Sequence, residues 1–223
     1  MYKFLAVSLI GLGVSFINFW IWRIIKIDII LGLTLVFLSI SLIYIINVKF
    51  NKQIFLFTLF LILFISYKTL ISGFDKNLIT LNPDQEKQLG GRHGFLAINL
   101  GKLVQNKFAL RFYKDVYPYI NVYGSNIFNS LSPNLYFFTN HPREREKVAE
   151  FAKYPSILIA PFLVGLIALL KSSKYLMGVY LIFAVGITGF INQTYLFGPI
   201  LFFPLINLLI TIGFLQLINF FKK

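Results

Sequence analysis

Six apolar runs fill most of this chain, and a single long polar passage, Gly73 to Tyr154, separates the first three from the last three. The runs are Phe4 to Trp22, Ile29 to Ile46, Ile54 to Ser72, Pro155 to Leu170, Tyr175 to Ile191 and Gly198 to Phe221. Most approach the ~20 residues that cross a bilayer as a helix, and the fourth is somewhat short. The pattern predicts an all-α integral membrane protein with about six transmembrane helices, three on each side of a helical extramembrane insert. Residues 1–72 hold helices 1–3, residues 73–154 the insert and residues 155–223 helices 4–6. Composition agrees: 57% of residues are hydrophobic and 13% charged, where a soluble domain carries about 25% charged residues. A chain this small cannot hide that much apolar side chain in a water-soluble core. Only Lys3 charges the start of the first run and no small-residue cleavage site follows, so that run reads as a retained span. Trp20 and Trp22 fall where an aromatic belt is expected. Lys68, about a turn from the end of its run, reads as a snorkelling anchor.

Orientation follows from the short loops. Six crossings put Lys3, Lys49, Lys52, Lys171, Lys174, Lys222 and Lys223 on one side, against Arg23 and Lys26, offset by Asp28, on the other. The positive-inside rule makes both termini cytoplasmic and the insert external. The expected location is a bacterial cytoplasmic (inner) membrane, with an organelle inner membrane as the alternative. The net charge of +13 is scattered and flanks apolar spans. It therefore points to anionic lipid head groups in the bilayer and away from nucleic acid. Prolines 161, 199 and 204 have no counterparts in the first three runs, so the matched helix breaks of an inverted-repeat transporter are missing. Gly178, Gly186 and Gly189 are expected to let another helix approach the fifth run closely.

The insert reads as helical. Asn82-Pro83-Asp84 is a helix start, and Gly90-Gly91 is its expected stop. Leu96, Leu100, Leu103, Val104, Phe108, Phe112 and Val116 keep the three-and-four spacing of an amphipathic helix. Pro118 kinks or ends that helix. Tyr119, Ile120, Tyr123, Ile127 and Leu131 carry the spacing into a second helix. Ser132-Pro133-Asn134 is a turn, and a last helix is expected from Arg143 to Lys153.

The polar passage holds both histidines, seven of the eight acidic residues and the candidate site residues. Lys107, Arg111 and Lys114 share one helix face, which either meets lipid phosphate or simply faces water. Arg143 and Arg145 form a second anion-binding candidate, and Arg92 a third, because the guanidinium fork suits phosphate. His141 and His93 are the acid–base candidates. Two distant histidines and no cysteine give no metal motif, and nothing in the chain calls for a cofactor. No Gly-x-Ser-x-Gly or His-Glu-x-x-His motif occurs. No run contains a histidine or an acid, which argues against haem and proton-relay chemistry within the bilayer. Asn192-Gln193-Thr194 matches a glycosylation acceptor but lies in a tight turn.

The expected function is that of a multi-pass membrane protein with no enzymatic role, an accessory or assembly subunit that contacts a partner protein through its outer insert. The alternative is an enzyme or binder acting on lipid-linked phosphate at the outer leaflet. The second alternative is a small transporter.

Overall fold

A computed structural model describes residues 2–47, 51–81, 83, 86–88, 90–92, 94, 107–138, 151–171 and 175–221. The described residues are helical apart from turns, connecting segments and one isolated bridge between Phe74 and Ile191. The helices are α1 (Tyr2–Ile17), α2 (Phe19–Ile27), α3 (Ile29–Asn47), α4 (Lys52–Gly73), α5 (Lys107–Asp115), α6 (Tyr117–Leu131), α7 (Asn134–Phe137), α8 (Ile159–Lys171), α9 (Tyr175–Thr188) and α10 (Phe202–Phe221). By length and composition α3, α4 and α10 can each cross a membrane, and α1 with α2 counts as a fourth if that bent pair is one span.

The first apolar run is not one straight helix. Asn18 breaks it, and α2 leaves α1 at 71°. The Asn18 amide donates to the Val14 and Ser15 carbonyls while its oxygen accepts from the Ile21 N–H at 2.8 Å. One fully buried side chain thus satisfies orphan groups at the end of one helix and the start of the next. The short polar stretch from Arg23 to Asp28, which the hydropathy pattern sets as a tight turn between the first two runs, is therefore mostly helix. Trp20, Ile21 and Ile24 are buried, while Phe19 and Trp22 are exposed on the opposite side. Trp20 is a core residue and not a belt residue: its indole N–H donates to the Phe197 carbonyl at 2.9 Å.

At the centre lies α10, whose residues from Phe202 to Gly213 are all buried. Lipid is as apolar as leucine, so close packing and internal hydrogen bonds, not water exclusion, hold such helices together. Both are present. The Asn207 amide donates to Ser15 of α1 at 3.1 Å and to Ser39 of α3 at 3.4 Å, and its oxygen accepts from the Tyr154 hydroxyl at 2.9 Å. Tyr154 is fully buried, and its hydroxyl is the donor in that bond. Ser15 and Ser39 donate onward to carbonyls of their own helices. This knot of four side chains fixes α1 and α3 in register against α10.

Of the three glycines expected to admit a neighbour, Gly189 does so, since a Cβ there would overlap the Tyr123 ring of α6, whereas Gly178 and Gly186 do not mark the closest helix contact. A Cβ on Gly178 would meet nothing within 4 Å, and one on Gly186 would reach only the Tyr123 hydroxyl at 3.9 Å. A Cβ on Gly165 of α8 would instead overlap the Leu209 carbonyl, and one on Gly213 of α10 would overlap the Pro161 carbonyl. Two helix backbones touch there. Pro161 faces Gly213 while Gly165 faces Leu209, so α8 runs against the direction of α10. Pro161 and Pro204 both lie in first turns, where a missing N–H costs nothing.

Lys68 is not a lone anchor. Its ammonium lies 3.0 Å from Asp28. The Leu31 N–H, then Lys68, hold the Asp28 carboxyl below its usual pKa against the opposing effect of burial.

Candidate functional site

The insert is fastened to the bundle by polar side chains. Asp75, immediately after α4, is buried. Its carboxylate accepts from Asn126 of α6 at 2.9 Å, from Asn192 at 3.1 Å and from the Asn77 N–H at 3.0 Å. Asn126 also donates to the Gly189 carbonyl, and the Tyr123 hydroxyl to the Gly186 carbonyl at 2.9 Å. Helix α6 therefore lies across the end of α9. The Asn192 amide of the glycosylation-like triplet is committed to this junction.

A second fastening lies at the far end of the insert. The Lys153 carbonyl accepts from the Phe19 and Trp20 N–H groups, and the Tyr154 N–H donates to the Tyr136 carbonyl. The buried Lys153 ammonium donates to the Leu135 carbonyl at 2.9 Å and sits 5.6 Å from the Trp20 ring. From this level the chain passes through Pro155 to Leu158 and turns back along α10 as α8. Helices α8 and α9 have 13 and 14 residues, about 20 Å each. The Tyr180 hydroxyl of α9 donates to the Leu201 carbonyl at 2.6 Å, so α9 starts beside the head of α10 and runs towards the insert.

An apolar groove opens where this return leaves space. Its walls are Phe162, Leu166 and Leu170 of α8, Met177, Gly178 and Leu181 of α9, and Phe202, Leu205 and Leu209 of α10. Leu131, Pro133 and Phe137 of the insert roof it. The volume is about 460 Å³, inside the ~300–1,000 Å³ range of small-molecule sites. The polar atoms at the roof are turned to each other, the Tyr136 hydroxyl donating to the Ser130 carbonyl at 2.6 Å. Leu170, at the rim, is 78% exposed. Such a lining offers dispersion contacts and no charge, so it suits an unbranched apolar chain better than a polar solute.

The described residues among those singled out from sequence fall elsewhere. Lys107, Arg111 and Lys114 are all exposed on α5, with Arg111 3.9 Å from Asp115. Arg92 is exposed beside Tyr117 and Pro118, where α5 gives way to α6. His93, His141, Arg143 and Arg145 lie outside the described residues. Gly90, Gly91 and Arg92, where a helix stop is expected, are themselves helical. Pro118 does separate two helices, as expected, by opening α6. The helix expected up to Lys153 does not include residues 151–153. Among the described residues no cluster of His, Asp and Glu can hold a metal ion. Comparison with protein-family models, with curated proteins and with solved structures finds no match.

Proposed function

We propose that this chain is a membrane protein with four crossing segments, one re-entrant hairpin and an outer insert, and that it binds the apolar tail of an outer-leaflet amphiphile. The crossings are α1 with the interfacial α2, α3, α4 and α10, and residues 155–171 dip in beside α10 and return. This reading replaces the fourth and fifth crossings expected from sequence and keeps an even number, so both termini stay cytoplasmic. Lys171 and Lys174 move to the side of the insert. Irregular backbone at membrane depth is tolerated where protein covers it, and Tyr154 and Leu158 are buried here.

The observation that carries the binding reading is the groove itself, predominantly apolar and roofed by the insert. Gly178 gives a direct test, because a side chain there enters open space. Gly178→Phe is expected to fill the groove, leave the thermal midpoint within a few degrees of the parent and lower co-purified lipid, weighed by native mass spectrometry, by at least tenfold. Val179→Phe on the exposed side of α9 is the control. Equal lipid retention in both variants would remove the reading. A second reading, an accessory subunit that docks a partner protein, is favoured by Ile120 and Phe128 of α6, which are 52% and 76% exposed.

A further inference from the structure

Helix α5 has three distinct faces. Leu110 and Tyr113 are half-buried against the rest of the insert. Phe108 and Phe112, one turn apart, are 80% and 38% exposed. Lys107, Arg111 and Lys114 stand exposed on the neighbouring face. At 100° per residue, the aromatic pair and the basic trio are adjacent stripes. Two exposed phenylalanines on successive turns form a contiguous apolar stripe beside the charges, and a helix packed into a core would bury the pair. An aromatic stripe flanked by cations is what a helix needs to lie in the head-group layer, its rings in the acyl boundary and its charges at phosphate.

Height agrees with that placement. α6, which continues from α5 after Val116, lies on the end of α9 with the Tyr123 hydroxyl reaching back to Gly186. The exposed apolar side chains continue along this path through Val116 and Ile120. We infer that α5 is a membrane-surface foot of the insert, docked on anionic lipid through Phe108, Phe112, Lys107, Arg111 and Lys114. The occupant is the anionic bilayer surface, because charge complementarity selects it: the face carries three cations, and its one carboxylate, Asp115, is 3.9 Å from Arg111. The inference is independent of the groove, which lies at the opposite end of α6.

The chain has no cysteine, so a single nitroxide can be placed at Phe108→Cys without further change. The protein is reconstituted in nanodiscs of phosphatidylcholine alone or with equal parts of phosphatidylglycerol. The label's collisions with oxygen and with a water-soluble nickel chelate then give its depth. With phosphatidylglycerol the label is expected to favour oxygen, below the phosphates, and a label at Lys114→Cys to sit shallower. Each basic residue near such a surface is worth about fivefold in the docked-to-free ratio. Changing Lys107, Arg111 and Lys114 to Gln together should therefore return the Phe108→Cys label towards water by on the order of a hundredfold. High salt should act in the same direction. A label equally open to the nickel chelate in both lipid compositions would overturn the inference, as would one protected only in native membranes, where a partner protein covers the face.

Discussion

Gly165→Leu is expected to prevent assembly of the bundle, and Gly213→Leu to do the same. At these positions α8 and α10 meet backbone to backbone, so a Cβ would overlap a carbonyl oxygen that no rotamer change can move. Overpacking a well-filled site usually costs about 1–3 kcal/mol by shifting side chains. Here two helices would have to separate, so the expected loss is at or above the top of that range. Gly178→Ala should leave stability unchanged, because its new methyl meets nothing within 4 Å. Thermal melting in mild detergent, with the monodisperse fraction after size exclusion, separates the cases. Equal behaviour of Gly165→Leu and Gly178→Ala would mean that α8 does not pack on α10 as described.

Asp75→Ala is expected to loosen the insert while leaving the bundle folded. Three N–H donors converge on this buried carboxylate, two of them from Asn126 and Asn192, more than 50 residues away. Hydrogen bonds to a charged group contribute about 1.5–3 kcal/mol each, and the stranded donors add a desolvation cost. A local loss of about 3 kcal/mol should raise amide exchange in α6 by on the order of a hundredfold, while α3 and α10 keep their protection. Unchanged exchange across residues 117–131 would show that Asp75 does not hold the insert down.

What the sequence made legible was whatever repeats locally. Uniformly apolar runs mark α3, α4 and α10, and the three-and-four spacing marks α5 and α6, with Pro118 in the first turn of α6. The break at Asn18 was hidden because one asparagine in an apolar run interrupts no period. The contacts that decide the architecture are long-range: Asn207 meets Ser15 across 192 positions, and Asn126 meets Asp75 across 51. Hydropathy carries no record of such pairings, so the polar knot, the Asp75 junction and the groove could not be read from it. Gly165 and Gly213 lie 48 positions apart by number, with nothing local to mark them as neighbours. The shortness of the fourth run is the one local sign in the sequence that favours the proposed re-entrant hairpin over a full crossing. Charge and helical spacing group Lys107, Arg111 and Lys114 on one face, but neither says what covers that face.

The re-entrant hairpin is the claim on which the groove depends, and the side of the membrane that Lys171 faces tests it most directly. In the cysteine-free chain, Lys171→Cys is probed with a membrane-impermeant maleimide beside Gln88→Cys in the insert and Asn51→Cys before α4. The hairpin account predicts that Cys introduced at 171 is modified from the same side as that at 88. Modification only from the side that reaches position 51 would restore a full crossing by α8 and contradict the account.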